Sequence, residues 1–462
     1  MKKFLVLLLT VLLTGIFPGN LHAAANWQLF PRTPHQFIGA SIRNKRLAKQ
    51  YRSTLLNRFL KYVTYNSQSQ EDVQITPNQI ETAQKLYAEI QAMGLDVTLS
   101  EHYYIFVNIP SNLPWKAPVL GFSCHYDVTP DVIAENVKPI KIDKYDGRKI
   151  ELKNGHVLDP QTEQDAYLNT QIGKTIVTSD GTTNLGADDK AGVSIIMTLM
   201  EILANNPSKQ HGPIQIVIAP NEDVGRAAEF IEEIPYNPEI AFDFDGGVDG
   251  QLMVENFNAR QEFFIVKGHP GHQSAAATNG YRNAWTPACE LGAAICTQEL
   301  LPNNSSGRQG YAELHHMSYP QGEVSTAKLD IRLRGYSTPE MDAWEKRADS
   351  IAQQVAQKYQ VQIEHQSINN YSNVAECAYP QALEITQRAF DATGIEMNAI
   401  SVRAGTTAAM FVTKNLVGAY TVFTGQNNEH SYTEWLSEED MFNSCLLSLN
   451  LVDQVAQVKV EE

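Results

Sequence analysis

Apolar residues recur in this sequence with two distinct spacings. Between Asn44 and Val63, the residues Leu47, Tyr51, Leu55, Leu56, Phe59 and Leu60 return every three or four positions, which is one face of a helix. Thr76-Pro77-Asn78-Gln79 opens a second helix, with a Thr cap, Pro at the first helical position and Gln completing a capping box. Ile80, Ala83, Leu86, Ile90 and Met93 share its apolar face, and Gly94 ends it. Short apolar runs predict strands over 96–99, 103–109 and 118–124, a helix over 190–204, and buried strands over 214–219, 240–244 and 417–423. Buried runs alternating with amphipathic helices predict an α/β fold on a mostly parallel sheet.

From about Arg260 to Tyr371 the order changes. Strand, helix, strand, strand, helix and strand are predicted over 261–266, 284–300, 312–317, 323–334, 339–358 and 361–365. A β-α-β-β-α-β unit buries a core of its own. The stretch 260–371 therefore reads as a domain inserted into a main domain made of 44–259 and 372–462. An edge extension of one large sheet is the alternative.

Composition narrows the class. A chain of 462 residues that is 43% hydrophobic buries real cores and is not disordered. Its net charge of −16 argues against a nucleic-acid binder. At the start, Lys2 and Lys3 precede an apolar run from Phe4 to Leu13, and small residues follow at Ala23, Ala24 and Ala25. This has the form of a secretory signal peptide over 1–25, predicting an exported protein, periplasmic or secreted, with no membrane association once the signal is removed. An uncleaved anchor is the alternative. The five cysteines, Cys124, Cys289, Cys296, Cys377 and Cys445, are scattered and odd in number, so most of them read as buried thiols.

Candidate chemistry collects where parallel strands are expected to end, the place where open α/β sheets bind ligands. His125-Tyr126-Asp127 follows one run, and Gly186-Ala187-Asp188-Asp189-Lys190 follows a run at 182–185. Glu222-Asp223 follows a third, Asp245-Gly246-Gly247 ends a fourth, and His430 lies beyond the last. Two histidines and three carboxylates, one of them shared, suit two zinc ions a few ångströms apart. In the adjacent pair Glu222 and Asp223, one carboxylate is available to hold metal and the other to take a proton. Asp127, two residues beyond His125, is placed to accept the second imidazole N–H. No serine nucleophile elbow, P-loop or dinucleotide fingerprint stands where it would be needed.

With these residues in view, the chain resembles the peptidase T family of tripeptide aminopeptidases, within the wider group of di-zinc aminopeptidases, carboxypeptidases and aminoacylases. The similarity runs from about Asn57 onward and is carried by Arg58-Phe59-Leu60-Lys61-Tyr62-Val63, GLDVTLSE from Gly94, GADDKAG from Gly186, and Glu255-Asn256-Phe257-Asn258. The resemblance implies a di-zinc peptidase domain with an inserted lid or dimerisation domain. By position, it implies that His125, Asp188 and Asp245 hold one zinc, and that Asp188 bridges to a second completed by Asp223 and His430. It further implies Glu222 as general base, Asp127 as the partner of His125, His272 as a lid histidine over the scissile carbonyl, and Arg403 as a binder of the substrate carboxylate. His269 competes with His272, and His430 is chosen because Glu434 follows in a His-x-x-x-Glu arrangement.

Three departures bear on specificity. The acidic pair is Glu-Asp where Glu-Glu is usual, Thr407 stands where the family has Asp, and an arginine near the end of the inserted domain is replaced around Ser372-Asn373. The implied activity is hydrolysis of short peptides, tripeptides in particular, from the N-terminus through a metal-activated water. A different di-zinc amidohydrolase, or a non-catalytic peptide-binding protein on this fold, remains open. A homodimer through the inserted domain is an expectation of the resemblance.

Overall fold

The computed structural model describes residues 27–29, 34–319 and 325–460; the expected signal peptide, 1–25, lies outside them. The strands of its eight-stranded main sheet and of the sheet within 258–371 are, in chain order, β1 (Asp96–Leu99), β2 (Ile105–Ile109), β3 (Leu120–His125), β4 (Ile214–Ala219), β5 (Ile240–Gly246), β6 (Gln251–Glu255), β7 (Asn258–Lys267), β8 (Tyr311–Ser318), β9 (Thr326–Gly335), β10 (Gln362–Tyr371), β11 (Asn398–Ser401) and β12 (Tyr420–Phe423). The main sheet has eight of them, ordered β11-β6-β12-β5-β3-β4-β2-β1. The central run β12-β5-β3-β4 is parallel throughout, and antiparallel pairs occur only toward the edges. The fold is thus α/β with a mostly parallel sheet.

Helices α1 (Pro34–Tyr62), α2 (Pro77–Ala92), α3 (Ala187–Asn205) and the C-terminal helix Glu438–Val455 pack into one apolar core with the central strands. Every residue of β3 is buried, as a strand covered on both faces requires. The first helix begins at Pro34, ten residues before the predicted start, with proline at a first-turn position that tolerates its missing N–H.

The capping box forms as expected, with Thr76 Oγ1 accepting from Gln79 N at 3.3 Å and Gln79 Oε1 accepting from Thr76 N at 2.8 Å. Such a cap contributes about 1 kcal/mol to its helix. It also reaches beyond the helix, since Gln79 Nε2 donates to Asn221 Oδ1 at 2.8 Å, immediately before Glu222.

Residues 258–371 carry a separate antiparallel sheet, ordered β8-β9-β7-β10, with helices Trp285–Ile295 and Thr338–Tyr359 against it and a core of their own. Asparagines tie the two chain crossings. Asn373 N donates to Asn258 Oδ1 at 2.9 Å, Val374 N to Asn256 Oδ1 at 2.8 Å, and Asn373 Nδ2 to Tyr336 O at 2.7 Å.

Two expectations are corrected. Residues 182–185 form no strand: Asp180 Oδ1 accepts from Thr182 N at 3.0 Å, and Ser179 Oγ donates to Thr183 O at 2.6 Å. These local side-chain bonds replace a sheet ladder. His430 likewise does not follow β12 directly, because the short strand Gln426–Asn427 intervenes and joins a small sheet with Trp435–Ser437, Ile176–Thr178 and Ile140–Ile142. Among the described residues, no helix is long and apolar enough to cross a membrane.

Candidate active site

Three of the candidate ligand positions come from neighbouring parallel strands. His125 closes β3, Asp245 lies near the end of β5, and Glu222-Asp223 follow β4 through the turn at Asn221, whose φ is 58°. Asp188 comes from the first turn of α3, where its own backbone is not helical, and His430 from a loop in which it adopts a φ of 56°.

Asp188 lies between the two histidines. Its Oδ1 is 3.0 Å from His125 Nε2 and its Oδ2 is 3.3 Å from His430 Nε2, so one carboxylate offers one oxygen to each ring. Asp245 Oδ1 stands 3.7 Å from His125 Nε2, and Asp223 Oδ1 is 2.9 Å from His430 Nε2. The side chains thereby divide into two half-sites sharing Asp188. Glu222 Oε2 lies 3.8 Å from His125 Nε2, beside the first of them.

Asp127 is fully buried and has two roles. Its Oδ1 is 3.4 Å from His125 Nδ1, while its oxygens accept the backbone N–H groups of Glu222 at 3.0 Å and Asp223 at 3.2 Å. A single carboxylate therefore sets both the first histidine and the backbone of the acidic pair. Asp189 also approaches His125 and Asp245 closely enough to be a ligand. Its oxygens are already engaged, however, by Gly192 N at 2.9 Å and His125 N at 3.1 Å, so it holds the strand end in place.

The electrostatics are those of a site built around positive charge. Burial pushes the Asp223 carboxyl up to about 7 and the Asp245 carboxyl up to about 6, with Asp188 pushing in the same direction. Burial raises Glu222 well above the usual carboxylate range, with His125 pulling the other way. Burial acts against ionisation of Asp188 too, yet hydrogen bonds from His125 and His430 hold it below that range. The His430 imidazole is pushed up to about 12 by its bonds to Asp188 and Asp223. Beneath the cluster, the buried Lys190 ammonium donates to Ser67 Oγ at 2.7 Å, and burial lowers it to about 8.

The donor set fits divalent metal. Buried carboxylates crowded round two imidazoles need a counter-charge, and Asp223 Oδ2 is buried without a hydrogen-bond partner. Two donors on one tetrahedral zinc stand about 3.3 Å apart, close to the 2.9–3.7 Å separations measured between these nitrogens and oxygens.

Other residues singled out from the sequence lie elsewhere. His272 is exposed on the inserted domain, where its Nδ1 accepts from Ser274 N at 3.3 Å. His269 pairs through its backbone with Arg282. Among the described residues, no hydrogen bond or ion pair joins either ring to the carboxylates. Arg403 is occupied by the inserted domain, donating to Gly307 O at 3.0 Å, Gln309 O at 2.7 Å and Ser305 Oγ at 2.6 Å. The structure thus does not bring His272 or Arg403 to the metal-type cluster in this arrangement, because each side chain is satisfied locally.

Thr407 is buried at the start of the helix Thr407–Val412, and its Oγ1 has no hydrogen-bond partner. Glu434, marked in the sequence only by its spacing from His430, is fully buried beside the cluster. Its carboxylate accepts from Leu185 N at 2.8 Å, Gly186 N at 2.5 Å and Asp188 N at 2.9 Å. Its fixed spacing from His430 was the available signal.

Comparison with known proteins agrees with this geometry. The family described as Peptidase family M20/M25/M40 matches residues 186–454. A peptidase T of Clostridium perfringens is 32% identical over 412 residues, covering 87% of this chain and 98% of the relative. Among solved structures, aminopeptidase PepT from Bacillus cereus superposes with a TM-score of 0.65 at 18% identity, covering 88% of this chain and 99% of that one. A dinuclear metal-binding peptidase of the M20 family from Bacillus subtilis gives 0.60 at 12% identity, covering 87% and 98%. Sequence, fold and clustered ligands lead to one conclusion: the chain belongs to peptidase family M20/M25/M40, among the peptidase T proteins, and is a metal-dependent peptidase.

Proposed function

We propose that the protein is an exported di-zinc aminopeptidase that hydrolyses short peptides, tripeptides foremost, from the N-terminus. The observation that carries this reading is Asp188, with one oxygen toward His125 and the other toward His430. His125, Asp188 and Asp245 would hold one zinc, and Asp188, Asp223 and His430 the other. Bound there, the two ions would lower the pKa of water and polarise the peptide carbonyl.

The remaining work falls to side chains. Glu222, fixed by the bond from its backbone N–H to Asp127, takes a proton at its carboxylate and returns it to the leaving amine. Asp127 keeps His125 oriented through Nδ1. Closure of the inserted domain would carry His272 toward the substrate carbonyl, and Arg403, on the main domain, would meet the substrate carboxylate once released from the 305–309 loop. Export rests on the signal-like segment at 1–25, and a homodimer through the inserted domain is compatible with its separate sheet.

The buried Thr407 favours a second reading, a related amidohydrolase acting on dipeptides or N-acyl amino acids, because a carboxylate missing near the site changes charge recognition. Zinc analysis of the purified protein, with Ala-Ala-Ala assayed against dipeptides and N-acyl amino acids, separates the two. Release of N-terminal alanine from the tripeptide with two zinc ions per chain is expected. Preference for N-acyl amino acids would overturn the aminopeptidase reading. Cell fractionation tests export, and recovery of the protein with cytoplasmic markers would refute it.

A further inference from the structure

We infer that Asp131, assisted by Thr129, is the positioning residue for His430, as Asp127 is for His125. The inference rests on the reading of His430 as a ligand of the second zinc. A histidine that binds metal through Nε2 carries its proton on Nδ1, and the acceptor of that proton fixes the tautomer and the ring plane. His430 Nε2 faces Asp188 and Asp223, at 3.3 and 2.9 Å. Its other nitrogen, Nδ1, lies 3.3 Å from Asp131 Oδ2 and 3.3 Å from Thr129 Oγ1.

The two acceptors brace one another, since Asp131 N donates to Thr129 Oγ1 at 3.2 Å. Both belong to the stretch that begins with Asp127, directly after β3. One short loop thus presents a carboxylate to the outer nitrogen of each metal-type histidine, although these are 305 positions apart in the chain. His430 depends on this help. Its backbone is left-handed, with φ at 56°, and its side chain is more than a third exposed, whereas His125 is fully buried and locked by its strand.

The test is a calorimetric titration of the metal-free, full-length protein with zinc, comparing wild type with Asp131→Asn and Asp131→Glu. Wild type is expected to take up two zinc ions. In Asp131→Asn one site should keep its affinity while the other weakens about 10–100-fold, with part of the loss recovered in Asp131→Glu. Thermal unfolding of the metal-free proteins should coincide, because the Asp131 side chain is largely exposed.

Unchanged affinity at both sites in Asp131→Asn would overturn the inference. So would equal weakening of both sites with a lowered metal-free unfolding temperature, which marks a general structural role. Wild-type protein that takes up fewer than two zinc ions would overturn the di-zinc reading itself, and this inference with it.

Discussion

Glu434 accepts the backbone N–H of Asp188 at 2.9 Å, so the carboxylate shared by the two half-sites is held from a point 246 residues along the chain. The same side chain takes the N–H groups of Leu185 and Gly186, closing the turn that delivers the bridge. Glu434→Ala would leave three buried donors unpaired. Stability should fall by about 2–4 kcal/mol, and both metal half-sites should weaken together because they share Asp188. Denaturant unfolding combined with zinc titration checks this, and weakening of only one half-site would contradict it.

Glu222 approaches His125 without being tied to either histidine by a hydrogen bond, which leaves its carboxylate available for proton transfer. Glu222→Gln should retain bound metal and lose about 10²–10⁴-fold in turnover. Metal content and steady-state rates on the same preparation decide the matter. A rate near wild type would remove Glu222 from the role of base.

Arg403 clasps the 305–309 loop of the inserted domain while its guanidinium stacks 4.9 Å above the Phe257 ring. Lysine keeps the charge but lacks the planar fork. Arg403→Lys should therefore speed hydrogen exchange across 305–309. If closure transfers this fork to the substrate carboxylate, KM for a tripeptide should rise more than kcat falls. A variant with wild-type KM and wild-type exchange would show that neither contact depends on the fork.

His365 offers a pH test away from the metal-type cluster. Its Nε2 lies 2.6 Å from Glu262 and its Nδ1 2.6 Å from Asp349, and these bonds, led by the one to Glu262, raise its pKa. A raised folded-state pKa makes the protonated ring stabilising. The contribution is complete below the unfolded value of about 6.5 and is lost as pH climbs through the raised folded value. His365→Gln should cost about 1–3 kcal/mol at pH 5, and the gap from wild type should narrow toward pH 9. Thermal unfolding across that range measures it; a gap that widens with pH would contradict the sign.

Much of the fold was legible in local patterns. Continuous apolar runs located the central strands because a parallel sheet covered on both faces tolerates few polar residues there. Thr76 and Gln79 announced their helix, since a capping box is written within four consecutive residues. His125, the Glu222-Asp223 pair and Asp245 were found for a related reason, as polar groups standing where buried strands leave the sheet.

Position 373 was less transparent. In the sequence, Ser372-Asn373 marks only a missing arginine, whereas in the structure Asn373 bonds to Asn258 and Tyr336 where the chain crosses between domains. Nothing in the residues beside it encodes those partners. The irregular 182–185 segment was misread because its apolar end resembles a strand while Ser179 and Asp180 satisfy the backbone instead.

Residue order alone was therefore sufficient for the α/β class, for most elements and for candidate ligand residues that the fold brings together. Tertiary structure decided that Asp188 lies between His125 and His430, that Glu434 clamps Asp188, that Asp131 meets His430, and that His272 and Arg403 are engaged outside the cluster. Periodicity reports which face of an element is buried, a property of neighbouring residues. The spatial meeting of side chains hundreds of positions apart has no such local signature, and it arises only when the sheet, its loops and the inserted domain are packed together.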